Sequence, residues 1–313
     1  MQDLMQQVRR LQIRTRRQVS DVLAGAYLSV FKGSGVEFDE VRPYVPGDDV
    51  RSIDWNVTAR TGVPHIKRFV EERELSMMLV VDVSASMDVG SVKGKRTSAA
   101  EFGALVAFSA MANQDKVGVM LFSNREHLFI PPRKGQKHGL RIIRELLSPN
   151  FEQDIPTADR SWWAKWARWW KQKGSVHHRQ TDLKAGLEFC QQILKRRSIV
   201  FVVSDCLDQG YWQQLQALNQ KHDVVLVQVV DPMDRQMPLL GLMRVQDAES
   251  GIERWIDTRD ANWQAFQQAT HAQFVEQVAE RSRRAGIDHI ELSTDQDAIE
   301  PLLAFMRRRE KRR

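Results

Sequence analysis

Five oxygen-bearing side chains in three separate segments form the pattern with the clearest chemical meaning. The run VVDVSASM places Asp82, Ser84 and Ser86 in the turn that follows an apolar segment. Thr181 stands just before a helical pattern in QTDLKAGL, and Asp205 follows a second apolar run in IVFVVSDC. Mg²⁺ is usually held by one or two carboxylates together with other oxygens and water. The pattern therefore predicts a Mg²⁺ site, with Mn²⁺ and Ca²⁺ as alternatives, that keeps a position for an acidic side chain of another protein.

The elements that must position these residues are strands that alternate with helices. Such alternation predicts a doubly wound, mostly parallel α/β sheet. Loops leaving the carboxyl ends of its neighbouring strands converge where the strand order reverses, and this would bring Asp82 and Asp205 together. The predicted strands are 77–83, 117–122, 126–131 (at an edge), 199–204, 224–230 and 287–292, with a hairpin over 243–257, and the predicted helices are 96–112, 136–147, 183–195, 261–285 and 298–308.

The same side chains also fit an interpretation without metal. Short serine-rich turns are common, and an Asp or Ser at the end of a strand often caps the following helix. In that case Ser84, Ser86 and Thr181 brace turns or helix ends, and no ion is present. Loss of metal binding in Asp82→Ala would separate the two interpretations.

The pattern Asp-x-Ser-x-Ser, followed by a distant Thr and a strand-ending Asp, resembles the metal-ion-dependent adhesion site of von Willebrand factor type A domains. All five positions of this chain match it: Asp82, Ser84, Ser86, Thr181 and Asp205. The resemblance implies an adhesion module that captures an acidic residue of a partner through the ion.

A second segment, residues 41–62, resembles the signature that precedes the type A domain in a bacterial group, domain-of-unknown-function family 58. These proteins are typically encoded beside MoxR-type AAA ATPases. The resemblance spans roughly residues 37–231. It implies an adaptor that works with such an ATPase on an unidentified protein client in complex maturation. The matching positions are Tyr44, Pro46, Gly47, Asp48, Asp49, Arg51, Asp54, Trp55 and Arg60.

The charges of this signature suggest a local network of ion pairs. Asp48, Asp49 and Asp54 are interleaved with Arg51 and Arg60, and arginine pairs well with carboxylates. We expect the network to lock an N-terminal region, residues 1–75 with a helix over 3–24, onto a type A domain over 76–313. Direct contact with a partner is the alternative.

Composition favours a cytoplasmic protein, with peripheral contact at the inner membrane as an option. The 313 residues are 42% hydrophobic and 27% charged, and no run approaches the roughly 20 apolar residues that span a bilayer. Cys190 and Cys206 are expected to be reduced thiols. The net charge of +6 is concentrated in basic clusters. We interpret them as solvated helix faces and a tail, and expect no nucleic-acid partner because no recognition motif accompanies them.

An insertion at about 158–178 carries five tryptophans on one helical face, with lysine and arginine on much of the other. Three interpretations remain open. The rings pack onto the domain, they dock into a partner's groove, or they lie in a membrane interface. The last makes a basic peripheral membrane protein the alternative function. The tryptophans are Trp162, Trp163, Trp166, Trp169 and Trp170.

We expect no catalytic activity. Aspartate nucleophiles of phosphoryl-transfer enzymes have a second carboxylate two residues on, where this chain has Ser84. The histidines lie in no triad motif, and no glycine-rich segment completes a phosphate-binding loop.

Overall fold

Ten strands and eight helices make up the regular structure of the computed structural model, which describes residues 35–72, 75–123, 128–148, 182–247 and 251–312. The strands are β1 (Gly35–Pro43), β2 (His65–Glu72), β3 (Ser76–Asp82), β4 (Lys116–Phe122), β5 (Leu128–Arg133), β6 (Ile199–Ser204), β7 (Asp223–Val230), β8 (Leu242–Gln246), β9 (Glu253–Asp257) and β10 (Asp288–Ser293). The helices are α1 (Trp55–Thr61), α2 (Lys95–Ala112), α3 (Gln136–Leu147), α4 (Leu183–Ile193), α5 (Trp212–Lys221), α6 (Pro232–Arg235), α7 (Ala261–Arg284) and α8 (Ile299–Glu310), with 3₁₀ turns at Val50–Ser52 and Ala85–Asp88.

Six strands form the main sheet in the order β10-β7-β6-β3-β4-β5. All neighbours are parallel except β4 and β5, which are antiparallel. From β3 the chain moves to β4 on one side and later to β6 on the other, so the strand order reverses between β3 and β6. The predicted doubly wound, mostly parallel sheet is confirmed.

Both faces of the sheet are buried under helices because the middle residues of the central strands β3 and β6 are apolar on both faces. In β3, Leu79 and Val81 face α2, α3 and α8, whereas Met78 and Val80 face α4, α5 and α7. Strands covered on both faces are typical of parallel sheets. After Ser76, which begins β3, the next polar side chain of the strand is therefore Asp82, at its carboxyl end.

The signature segment forms its own two-stranded sheet with a helical insertion. β1 and β2 pair antiparallel, and the chain between them contains α1. Asp54 caps the start of α1, with its carboxylate accepting from the backbone amides of Asn56 and Val57. Gly62 ends α1 in the left-handed region, with φ of 71°. Asp54 and Gly62 thus mark the first and last ends of α1.

The ion pairs of this signature differ from the expected ones. Asp48 accepts two hydrogen bonds from Arg42, at 2.9 and 2.7 Å, and Asp54 pairs with Lys67 at 3.4 Å. The guanidinium of Arg42 lowers the pKa of Asp48. Both cations lie on β1 and β2 rather than among the interleaved arginines, because the hairpin brings its strands alongside the loop.

Three helices were not predicted from the sequence: α1, α5 and the four-residue α6. α1 has seven residues and buries none of them, so it has no apolar stripe to detect. α5 is rich in glutamine, and only Leu215 and Leu218 within it are buried. β8 and β9 form the predicted hairpin as a separate two-stranded sheet. The predicted helix over 3–24 lies outside the described residues, and none of the described helices is long and apolar enough to cross a membrane.

Gly118→Ala is expected to destabilise the protein by about 1–2 kcal/mol in urea unfolding. A Cβ at Gly118 would lie 2.7 Å from Pro132 N and 2.8 Å from Ile130 O, both backbone atoms of the adjacent edge strand. Gly186→Ala is the matched control, since its Cβ would make only ordinary contacts, the nearest at 3.5 Å. Equal stability of the two variants would contradict this close approach.

Candidate metal centre

Asp82 is the buried centre of the candidate site. It ends the central strand β3 and is 0% exposed. One carboxylate oxygen accepts from the backbone amide of Ser84 at 2.9 Å, and the other accepts from the hydroxyl of Ser204 at 2.8 Å. These bonds fix the carboxylate at the point where β3 and β6 end side by side.

Ser84 and Ser86 present two buried hydroxyls next to this carboxylate. They lie in the 3₁₀ turn after β3, and their Oγ atoms are 3.1 Å apart. Ser84 occupies the N-cap position of the turn, yet its side chain makes no capping hydrogen bond. Helix capping therefore does not explain Ser84, and both hydroxyls are oriented toward each other.

Asp205 follows β6 and is 4% exposed. One carboxylate oxygen accepts from the amide of Leu207 at 3.3 Å. The other, Oδ2, is buried and has no hydrogen-bond partner among the described residues. A buried carboxylate oxygen without a partner is costly, and a cation bound here could satisfy this atom.

The negative charges of Asp82 and Asp205 also favour a cation at this site. Burial, and then the negative charge of Asp205, raise the pKa of Asp82 to about 7. A cation between two such carboxylates would relieve both effects. The described residues contain no group of three or more His, Cys, Asp or Glu that could hold a metal. The donor set is thus poor in charge and rich in hydroxyl oxygen, which suits Mg²⁺ better than Zn²⁺.

Thr181, the fifth predicted ligand, lies outside the described residues. The start of α4, two residues later, is tied to the Asp205 loop because Asp208 accepts from the amide of Leu183 at 2.9 Å. Asp182 caps the same helix by accepting from the amide of Ala185. The chain that follows the predicted ligand is therefore held beside the candidate site.

Ser204 is a site residue that the sequence analysis missed. Its hydroxyl donates to Asp82 and accepts from the amide of Cys206 at 3.0 Å. It joins the ends of β3 and β6. With the amide of Ser84 on the other oxygen, each carboxylate oxygen of Asp82 accepts a hydrogen bond. A hydroxyl directly before a strand-ending aspartate was the only signal for it.

The loop after Ser86 is braced by contacts with the ends of β7 and β10. Asp231, 2% exposed, accepts from the amide of Ser91 at 2.9 Å and from the hydroxyl of Thr294. Lys95, 4% exposed, pairs with Asp234 at 2.7 Å. These long-range contacts hold the loop that follows Ser84 and Ser86.

The cysteines are free and buried. Burial raises the pKa of Cys190 to about 12, and burial with the charge of Asp205 raises that of Cys206 further. Neither is a reactive thiolate at neutral pH. Cys206 has φ of 62°, so the residue after Asp205 adopts the left-handed region that non-glycine residues rarely use. Such backbone strain is common beside functional sites.

The other predicted contact residues are placed as follows. The five tryptophans of the insertion lie outside the described residues. Trp55 is 70% exposed on α1, and Val45 and Val50 beside it in sequence are also exposed. These exposed side chains give the signature segment an apolar surface.

Comparisons with known proteins support one family. The family model described as "Protein of unknown function DUF58" matches residues 40–276. Uncharacterized proteins of Mycobacterium tuberculosis and Mycobacterium bovis are 30% identical over 301 residues, covering 96% of this chain and 87% of each relative.

Solved structures with a similar fold include the von Willebrand factor type A domain of SpRpn10, with TM-score 0.34 and 11% identity over 50% of this chain and 76% of that one. The pilus adhesin SpaC of Lactobacillus rhamnosus GG gives a TM-score of 0.39 and 9% identity over 91% of this chain and 36% of that one. Similarities this low concern the fold and carry nothing about ligands.

Proposed function

Since the chain belongs to the DUF58 family, a family of unknown function, we propose from its site that it is a Mg²⁺-dependent protein-binding module. The observation that carries the proposal is the pairing of Asp205, whose buried Oδ2 has no partner among the described residues, with a second buried carboxylate, Asp82. Two hydroxyls beside them, from Ser84 and Ser86, cap no helix.

Each side chain has a defined role in this proposal. Ser84 and Ser86, with Thr181 as the predicted third hydroxyl, would contact the ion, and Asp82 and Asp205 would supply charge directly or through water. When bound, the ion offers an electrophilic position to a carboxylate oxygen of the partner. Few protein anions surround it, so its attraction for an outside anion is largely retained.

The surface around the site fits a protein partner. Val89 and Val92, on the loop after the serines, are 51% and 70% exposed, and Leu207, two residues after Asp205, is 55% exposed. Exposed aliphatic side chains on the same loops as a polar site are typical of interaction surfaces. We therefore propose that the partner's acidic residue is flanked by apolar side chains.

We further propose that the module is a cytoplasmic adaptor between a MoxR-type AAA ATPase and a protein client, and that it has no catalytic activity of its own. The resemblance of residues 41–62 to the family signature supports the ATPase partner. The exposed Trp55 gives that signature a second surface for contact, separate from the metal centre. The free thiols Cys190 and Cys206 agree with a reducing compartment.

The double variant Ser84→Ala/Ser86→Ala is expected to lose Mg²⁺ binding while it keeps its fold. Removing both hydroxyls takes away inner ligands without adding charge. In the wild type, Mg²⁺ at a hundred times its dissociation constant should stabilise the protein by about 2.7 kcal/mol, measured by urea unfolding with Mg²⁺ and with EDTA. Ser109→Ala is the control, because Ser109 is buried on α2 and bonds only within that helix. An unchanged Mg²⁺ response in the double variant would refute the site.

A further inference from the structure

The amino-terminal edge of the main sheet, opposite the candidate metal centre, gathers the ends of four helices. α4, α5 and α7 each lead into a parallel strand, so they end where β6, β7 and β10 begin. α8 returns to the same edge, because Arg309 pairs with Asp223 and Asp288, the first residues of β7 and β10. We call this region the amino-terminal edge, defined by residues 195–198, 219–223, 281–288 and 307–312.

Basic residues dominate this edge. The charged residues in the last turns of α5 and α7 are all basic, and the last turn of α8 has three arginines and one acidic residue, Glu310. The loop after α4 contains Lys195, Arg196 and Arg197. Cations at helix carboxyl ends interact favourably with the helix dipole. That effect accounts for some of the last-turn residues but not for the three in the loop, which lie beyond α4.

Three of the four carboxylates at or beside this edge are paired with arginines; the fourth, Glu310, is exposed and forms no ion pair among the described residues. Asp223 pairs with Arg309, Asp288 pairs with Arg309 and Arg312, and Glu280 pairs with Arg284. A second group of cations is exposed and forms no ion pair within the described part of the chain. It comprises Lys195, Arg196, Arg197, Lys221 and Arg283. Five exposed cations against the one exposed carboxylate of Glu310 leave this edge with excess positive charge that no ion pair of the described residues offsets.

These cations are close enough together to act on one side chain. His222 is buried between the loop and β7, and its Nδ1 accepts from the amide of Ser198. Burial lowers the pKa of His222, and the charges of Lys221 and Arg197 lower it further. Lys221 of α5 and Arg197 of the loop after α4 thus lie near the same buried side chain.

The opposite edge has the opposite charge. Asp82, Asp205, Asp208 and Asp231 all lie at or just beyond the carboxyl ends of β3, β6 and β7. At about 3.3 Å per residue, strands of six to eight residues separate the two edges by roughly 20–25 Å. The molecule is polarised along its strands, with the candidate metal centre at the acidic end.

We infer that the amino-terminal edge docks onto an anionic phospholipid surface. Lys and Arg near such a surface each strengthen binding by about fivefold. The edge suits an extended array of phosphates because its unpaired cations are all exposed and lie on separate elements, α5, α7 and the loop after α4. Nucleic acid is disfavoured because none of the large exposed apolar residues among the described positions belongs to this edge, so it has no aromatic platform for bases.

This orientation would leave the metal centre facing away from the lipid, available to a protein partner. It uses residues other than the tryptophans of the insertion, and it does not depend on metal. The inference therefore stands or falls separately from the proposed Mg²⁺-dependent binding.

The test is flotation of the full chain with vesicles of phosphatidylcholine, with and without about one third phosphatidylglycerol. The wild type should float only with anionic vesicles at about 0.1 M NaCl, and release at about 0.5 M. Lys195→Glu/Arg196→Glu should bind at least about twentyfold more weakly. EDTA should change neither result.

The matched control is Lys184→Glu/Arg254→Glu, which makes the same change in net charge at exposed positions outside the edge. It should bind vesicles within about twofold of the wild type. Equal loss in both double variants would show an effect of net charge alone and overturn the inference. Failure of the wild type to float, or tighter binding to a fluorescent DNA duplex than to anionic vesicles at the same salt, would also overturn it.

Discussion

Asp82→Asn is expected to stabilise the metal-free protein at pH 8 and, in the same variant, to abolish its response to Mg²⁺. Burial and Asp205 raise the pKa of Asp82 to about 7, whereas the unfolded chain ionises near pH 4. Metal-free protein therefore loses stability as pH rises from about 4 to about 7. The neutral amide removes this loss, so the free energy of unfolding should rise by roughly 2–4 kcal/mol at pH 8 and change little at about pH 4.

Urea unfolding in EDTA at both pH values measures the first effect, and repetition with excess Mg²⁺ measures the second. The wild type should recover stability when Mg²⁺ is added at pH 8, and the variant should not. Asp88→Asn serves as the control, because Asp88 is an exposed carboxylate in the turn after β3. A variant less stable than the wild type at pH 8 without metal, or one that still responds to Mg²⁺, would contradict the arrangement of the two carboxylates.

Asp231→Ala is expected to destabilise the protein by roughly 3–5 kcal/mol, the largest loss among the substitutions considered. One carboxylate oxygen of Asp231 accepts from the amide of Ser91 and the hydroxyl of Thr294, and the other accepts from the amide of Met233 at 2.8 Å. Truncation leaves the buried hydroxyl of Thr294 and the partly buried amide of Met233 without this acceptor, and it removes the contact that ties down the exposed Ser91. It also releases the loop that follows the candidate metal ligands, so Mg²⁺ binding should weaken.

The difference in stability between the wild type and Asp231→Ala should also depend on pH, which provides a second measurement. Hydrogen bonds from Thr294 and Ser91 contribute to lowering the pKa of Asp231 against the effect of burial. Its stabilising contribution is therefore complete above about pH 4 and lost as pH falls further. The difference between wild type and variant should shrink in acid. Asp295→Ala, at an exposed position after β10, should change stability by less than about 0.5 kcal/mol; a similar loss in both variants would rule out the bracing role.

The main sheet could be predicted from the sequence because its strands are encoded locally. Continuous apolar runs such as 77–81 and 199–203 are short, bounded by polar turns and separated by helical patterns, so their alternation alone indicates a parallel sheet. α1 and α5 escaped detection for the converse reason. Each is short and buries few side chains or none, so its helical period leaves little trace in the apolar pattern.

The candidate site could be predicted only in part. Asp82, Ser84 and Asp205 follow strands, so their position at one end of the sheet follows from topology. Their supports do not. Ser204 and Asp231 act through hydrogen bonds to Asp82 and Ser91, which are distant in sequence, and nothing in the local pattern specifies such partners. Likewise, the cation that pairs with Asp48 is Arg42 because the hairpin places it there.

The antiparallel strand β5 has a consequence for behaviour at high protein concentration. It forms one border of the main sheet, and its sequence contains Pro131 and Pro132. Proline has no amide hydrogen, so this border offers an interrupted row of donors to any incoming chain. We expect the border to resist intermolecular strand addition, and replacement of both prolines by valine to make the protein prone to fibrillar aggregation.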